Sequence, residues 1–239
     1  MAEENGGPVG AISGWAWAVI GVAVALPVLV NGLVLAQPYI NPVLLYRDPL
    51  LVADLLYDEL AEAAGEPVGT CCAYWVGAAS NVGVLVWAAT AGALFSGLMA
   101  GLATGHAGRR ETAFLALALG LTALLAADDV FQIHEQPDLV LGLKGEALLF
   151  PLFAGLLGAY ALFRDVLARP YVMALGIAVA CFGASVLADQ VLPRGRAAVV
   201  TEDVFKLFGI SFWFAFHTLA AVEVGAGRPL FFRRSRPVA

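Results

Sequence analysis

The stretch LLAADDVFQIHE, residues 124–135, ends an otherwise apolar run in Asp128, Asp129, His134 and Glu135. Three carboxylates and one imidazole are the groups from which metal sites, general bases and proton relays are built. On a helix turning about 100° per residue, Asp128, Gln132 and Glu135 share a face and Asp129 flanks it. His134 points about 100° away from Glu135 and joins them only through a bend or a helix end.

Other segments carry matching chemistry. LADQV contributes Asp189, KGEALLF contributes Glu146, and TEDVFKLFG contributes Glu202, Asp203 and Lys206. AADDV and LADQV also echo each other, aligning Asp128 with Asp189 and Asp129 with Gln190. These residues point to a divalent-metal site with Asp128, Glu135, Asp189, Glu202 and Asp203 as ligands. Asp129 or Glu135 would be the general base and His134 a ligand or proton carrier. Oxygen-rich ligands favour Mg²⁺, Mn²⁺ or Ca²⁺, and one imidazole among them also admits Zn²⁺ or iron. Such a metal would activate water against an ester, amide or phosphate bond of a lipid-like substrate.

Two further classes stay open. In the first, the charges form a structural ion-pair network: Lys206 with Glu202 and Asp128, and Arg194 and Arg196 with Glu135 and Asp189. The protein is then a structural or assembly subunit of a membrane complex. In the second, Asp128, Asp129 and His134 carry protons or a cation in a coupled transporter, with His217 as a deeper station. His217 lies about 22 Å along the helix axis from Glu202, too deep for the same site.

The elements that position these groups follow from composition. Of 239 residues, 61% are hydrophobic and 13% charged, far more apolar than the roughly 45–50% of soluble domains. Six apolar segments fit membrane spans, about 12–36, 75–103, 112–134, 146–164, 170–192 and 202–225. A helix needs about 20 such residues to cross a hydrocarbon core about 30 Å thick. Backbone groups in lipid must pair within their own segment, so the expected fold is an all-α membrane bundle in a single integral domain. The loop 37–74 contains an expected surface helix in DPLLVADLLYDELAEAAGE, with Asp54, Asp58 and Glu62 on one face. Residues 226–239 form a tail.

Basic residues set the orientation. Arg109, Arg110, Arg164, Arg169, Arg228, Arg233, Arg234 and Arg236 lie on one side, against Arg47, Lys144, Arg194 and Arg196 on the other. The richer side is cytoplasmic, which puts both termini inside a plasma membrane and the acidic cluster at its outer face. Cys71, Cys72 and Cys181 form no CxxC pair, and no basic stripe with interleaved aromatics suggests nucleic acid. Membrane lipids are the expected partners. The small-residue spacing of AGALFSGLMAGLATG suits close helix packing or self-association.

Asp, then Asp or Glu, four residues, then His-Glu at the end of an apolar span, with a later helix opening in paired acids, resembles a group of uncharacterised small bacterial polytopic membrane proteins. DDVFQIHE and TEDVFKLFG carry that resemblance, which implies no activity. Membrane ceramidase-like hydrolases look for an HxxxH pair that this chain lacks.

Overall fold

The computed structural model describes residues 14–46, 77–131, 145–167, 169–193 and 196–227. These residues are almost entirely helical: α1 (Gly14–Ala36), α2 (Pro42–Tyr46), α3 (Ala78–Ala103), α4 (Arg109–Phe131), α5 (Gly145–Ala159), a 3-10 turn (Tyr160–Phe163), α6 (Arg164–Leu167), α7 (Val172–Val191) and α8 (Arg196–Gly225). The expected surface helix and Cys71 and Cys72 lie outside the described residues, as do His134, Glu135 and most of the tail.

Among the described residues, five helices, α1, α3, α4, α7 and α8, are long and apolar enough to cross a membrane. The segment expected as a fourth span divides instead into α5, the 3-10 turn and α6. Gly155 and Gly158 weaken the helix just ahead of that change, and Tyr160 is drawn into the interior at 2% exposure. The last helix starts at Arg196, six residues before the expected 202, directly after the Pro193 and Gly195 punctuation.

Local sequence explains the turns. Gln37 closes α1: its Oε1 accepts from the amides of Tyr39 at 2.9 Å and Ile40 at 2.8 Å. Asn41 then caps α2, its Oδ1 accepting from Val43 N at 3.2 Å, and Pro42 fills the first helical position. At the other end of the bundle Gly105 takes a φ of 68° and lets the chain leave α3.

Helix α8 is the centre. Its apolar window is 72% buried, against at most 33% for the other four. It packs most extensively on α7 and α3 and also against α1, while α4 packs on α3. The α3–α8 seam depends on small residues: a Cβ on Gly97 would lie 2.5 Å from the Ala221 carbonyl oxygen, and Gly225 approaches the same turn. The spacing read from the sequence as a packing stripe is therefore used inside the chain. Outward faces carry Leu29, Leu33, Leu85, Leu162 and Met173, each more than 60% exposed. Such surfaces suit lipid and not water.

Candidate functional site

Asp128 and Asp129 lie in the last turn of α4, Asp189 and Gln190 in the last turn of α7, and Glu202 and Lys206 in the first three turns of α8. All six line one cavity of about 500 Å³. Its remaining walls are apolar or small and descend past Leu125, Leu157, Val179 and Phe182 to Leu121 and Trp213. The helical periods account for this lining. Leu121, Leu125 and Asp128 repeat along one side of α4, while Val179, Phe182, Gly183, Val186 and Gln190 do so along α7. The sequence echo is thus spatial as well: both aligned pairs, Asp128 with Asp189 and Asp129 with Gln190, face the same space.

Asp129 is held from two sides. Its Oδ1 forms an ion pair with Lys206 Nζ, and its Oδ2 accepts from Trp87 Nε1 at 3.2 Å. The expected partners of Lys206 were Glu202 and Asp128; its ion pair is with Asp129, and the Asp203 and Glu202 carboxylates act on it as well. Helix rotation decides it, because Asp129 turns toward α3 and α8 and reaches Trp87. Asp128 is buried, with 8% exposure, and Asp189 is exposed and accepts from Gln190 Nε2 at 3.0 Å.

A second cavity, of about 20 Å³, lies on the other side of the Asp129–Lys206 pair and is lined by Tyr46, Ser80 and Asp203 as well. That volume suits about one water molecule. Ser80 Oγ donates to the Tyr46 carbonyl, and the Tyr46 hydroxyl donates to Asn31 Oδ1 at 2.8 Å. Burial, and to a lesser degree the Asp203 carboxylate, push the Tyr46 phenol up to about 12. The acids expected to converge are therefore divided. Asp128, Asp189 and Glu202 line the large cavity, Asp203 the small one, and Asp129 and Lys206 both.

Below the large cavity is an aromatic floor. Trp87 stacks on Phe182 with centroids 5.9 Å apart, and Trp213 meets both at 6.2 Å. Gly209 makes room for this packing, since a Cβ there would lie 2.7 Å from the Phe182 ring. Trp213 Nε1 donates to Thr122 Oγ1 at 3.0 Å, tying α8 to α4.

His217 is deeper still and fully buried, as the axial distance from Glu202 implied. Its Nδ1 lies 2.8 Å from the Trp213 carbonyl oxygen. A carbonyl only accepts, so Nδ1 carries the proton, and Nε2 accepts from the Tyr160 hydroxyl at 2.9 Å. His217 thus joins α8 to the 3-10 turn and is not among the cavity-lining residues.

Among the described residues, no three or more His, Cys, Asp or Glu side chains are grouped closely enough to hold a metal ion. Glu146 falls in the first turn of α5. Trp87, Phe182, Tyr46 and Ser80 were not singled out from the sequence. Trp87 has a local signal, an indole N–H inside a Gly-rich apolar span that needs a buried acceptor. The other three have none.

Among the described residues, fold and site define an all-helical bundle of five membrane-length apolar helices, four of them around the central α8, with an acid-rimmed apolar cavity at one end. The chain belongs to the family described as a domain of unknown function, DUF8692, which matches residues 14–220. No curated protein and no solved structure matches it.

Proposed function

We propose that this is a multi-pass membrane protein of the plasma membrane that takes a lipid-like amphiphile into its bundle from one leaflet. The observation that carries this reading is the cavity. Its volume of about 500 Å³ falls within the roughly 300–1,000 Å³ of small-molecule sites. Its polar groups gather at one end and apolar walls fill the other, which is the polarity of an amphiphile. Helix α8 rises about 16 Å between Glu202 and Trp213, half of a hydrocarbon core about 30 Å thick, so the site is one leaflet deep. In this reading the α5–α6 segment completes a sixth span, both termini are cytoplasmic, and the acidic mouth faces outward.

Metal-dependent hydrolysis is a second reading of the same mouth, with Asp128, Asp189 and Glu202, which line the large cavity, as the candidate ligands. Metal content of the wild type beside Asp128→Ala and Glu202→Ala tests that step. Metal retained equally in both variants counts against it.

Binding itself is tested with the full chain in phosphatidylcholine nanodiscs, with Trp15, Trp17 and Trp75 replaced by phenylalanine. Trp87 and Trp213, both in the cavity wall, then report on a single-chain amphiphile brominated near its tail. The expected result is saturable quenching that Gly183→Phe abolishes. Gly183 lines the cavity and a Cβ there meets nothing within 4 Å, so a larger side chain starts in open space. Quenching that never saturates, or that is unchanged in Gly183→Phe, refutes the reading.

A further inference from the structure

Resting on that reading, we infer that the amphiphile carries a cationic head, an organic ammonium on a single apolar chain. The residues lining the large cavity include four carboxylates, Asp128, Asp129, Asp189 and Glu202, and one ammonium, Lys206. Lys206 pairs with Asp129, and four carboxylates against one ammonium leave these lining residues with a formal excess of negative charge. The walls below the mouth are apolar, and a low-permittivity surround strengthens the field that a ligand head meets on entry.

The arrangement of the acids decides which kind of cation fits. Mg²⁺, Mn²⁺ or Ca²⁺ needs several oxygens converging within about 2.0–2.6 Å of one point. The described acids do not converge in this way. They come from three helices and are spread around a rim, with Asp189 exposed and Asp128 buried. A bulky, weakly hydrated ammonium is satisfied by such a diffuse negative rim without inner-sphere ligands. An anionic head would meet the same rim at a penalty, and a neutral head would gain nothing from it.

Chain number follows from size. A space of about 500 Å³ and one leaflet's depth takes one chain, whereas a two-chain phospholipid would have to leave one chain outside. Gly183, Ala154 and Ser185 keep the wall free of bulk where that chain would lie.

The test compares three amphiphiles with the same tail-brominated chain and different heads: trimethylammonium, hydroxyl and carboxylate. Each is titrated as a mole fraction of nanodisc lipid against the tryptophan-reporter protein, with empty nanodiscs correcting for partition. The ammonium compound is expected to half-saturate at a mole fraction about tenfold or more below the carboxylate, because one favourable charge contact near a protein surface exceeds the 1.4 kcal/mol of a tenfold change. Asp189→Asn and Glu202→Gln should each narrow that ratio by about threefold or more, and should shift the hydroxyl compound less than the ammonium compound. Saturable quenching by all three heads at equal mole fractions overturns the cationic assignment and leaves amphiphile binding intact. Saturation by none of them overturns both. Preference for the carboxylate overturns the assignment and points to the Lys206 ammonium as the head contact.

Discussion

The Asp129–Lys206 pair stands between the two cavities, and removing one partner should expose how much the mouth depends on it. Lys206→Met keeps the aliphatic stem and deletes the charge. Asp129, only 11% exposed, would then have the single Trp87 N–H at 3.2 Å to support its carboxylate. Breaking a buried pair from one side costs about 3–5 kcal/mol. The lower end applies here, about 3 kcal/mol, because Lys206 still exposes 32% of its side chain. For a chain of this length that corresponds to a fall in Tm of roughly 6–12 °C. Asp129→Asn in the same background removes the stranded charge and keeps an acceptor for Trp87, so the double variant should recover most of the loss. The assay is thermal unfolding in one detergent for the wild type, both single variants and the double variant, read as a double-mutant cycle. A coupling below about 0.5 kcal/mol would refute the reasoning, because the two side chains would then be independent.

Three other perturbations probe separate joints of the bundle. Thr122→Val leaves the buried Trp213 indole N–H without its acceptor and should cost about 1–3 kcal/mol by thermal unfolding, as should Tyr160→Phe at His217 Nε2; no change in either would mean those bonds are not formed. Gly97→Val should destabilise by about 1–3 kcal/mol or more because its Cβ has no room beside Ala221, whereas Gly92→Ala in the same helix meets nothing within 4 Å and should be neutral or stabilising; equal effects would refute the close α3–α8 approach. The Tyr46 phenol, raised from the ordinary value of 10.0 to about 12 when folded, contributes stability that is complete below pH 10 and lost as pH rises toward 12. Tyr46→Phe should therefore flatten the fall in stability over that window, and an unchanged slope would show that Tyr46 titrates normally.

Much of the architecture was legible in the residues because lipid imposes a severe constraint. Long apolar runs must be helices, and the ends of α1, α3, α4 and α7 fall within a few residues of their expected positions. Thr201, Glu202 and Asp203 look like a start signal for α8, whereas the helix already runs from Arg196. The fourth apolar segment was expected to be uniform because hydropathy does not register where Tyr160 must turn inward to reach His217. The common depth of Asp128, Asp189, Glu202 and Lys206 at helix ends was legible, whereas their facing into one space depended on the rotation of each helix.

The sequence alone therefore determined the helical class, the apolar lengths, the acidic layer at one end and the distance that separates His217 from it. These follow from period, rise and hydropathy, which are properties of a single helix. Only the tertiary structure decided that Asp129 pairs with Lys206 and Trp87, that Asp203 is parted from the other acids, and that Trp213 and Phe182 floor a cavity. Those outcomes depend on the rotation of each helix about its axis and on contacts between residues far apart in the chain. Trp87 with Asp129, Tyr160 with His217 and Thr122 with Trp213 meet only when whole helices pack.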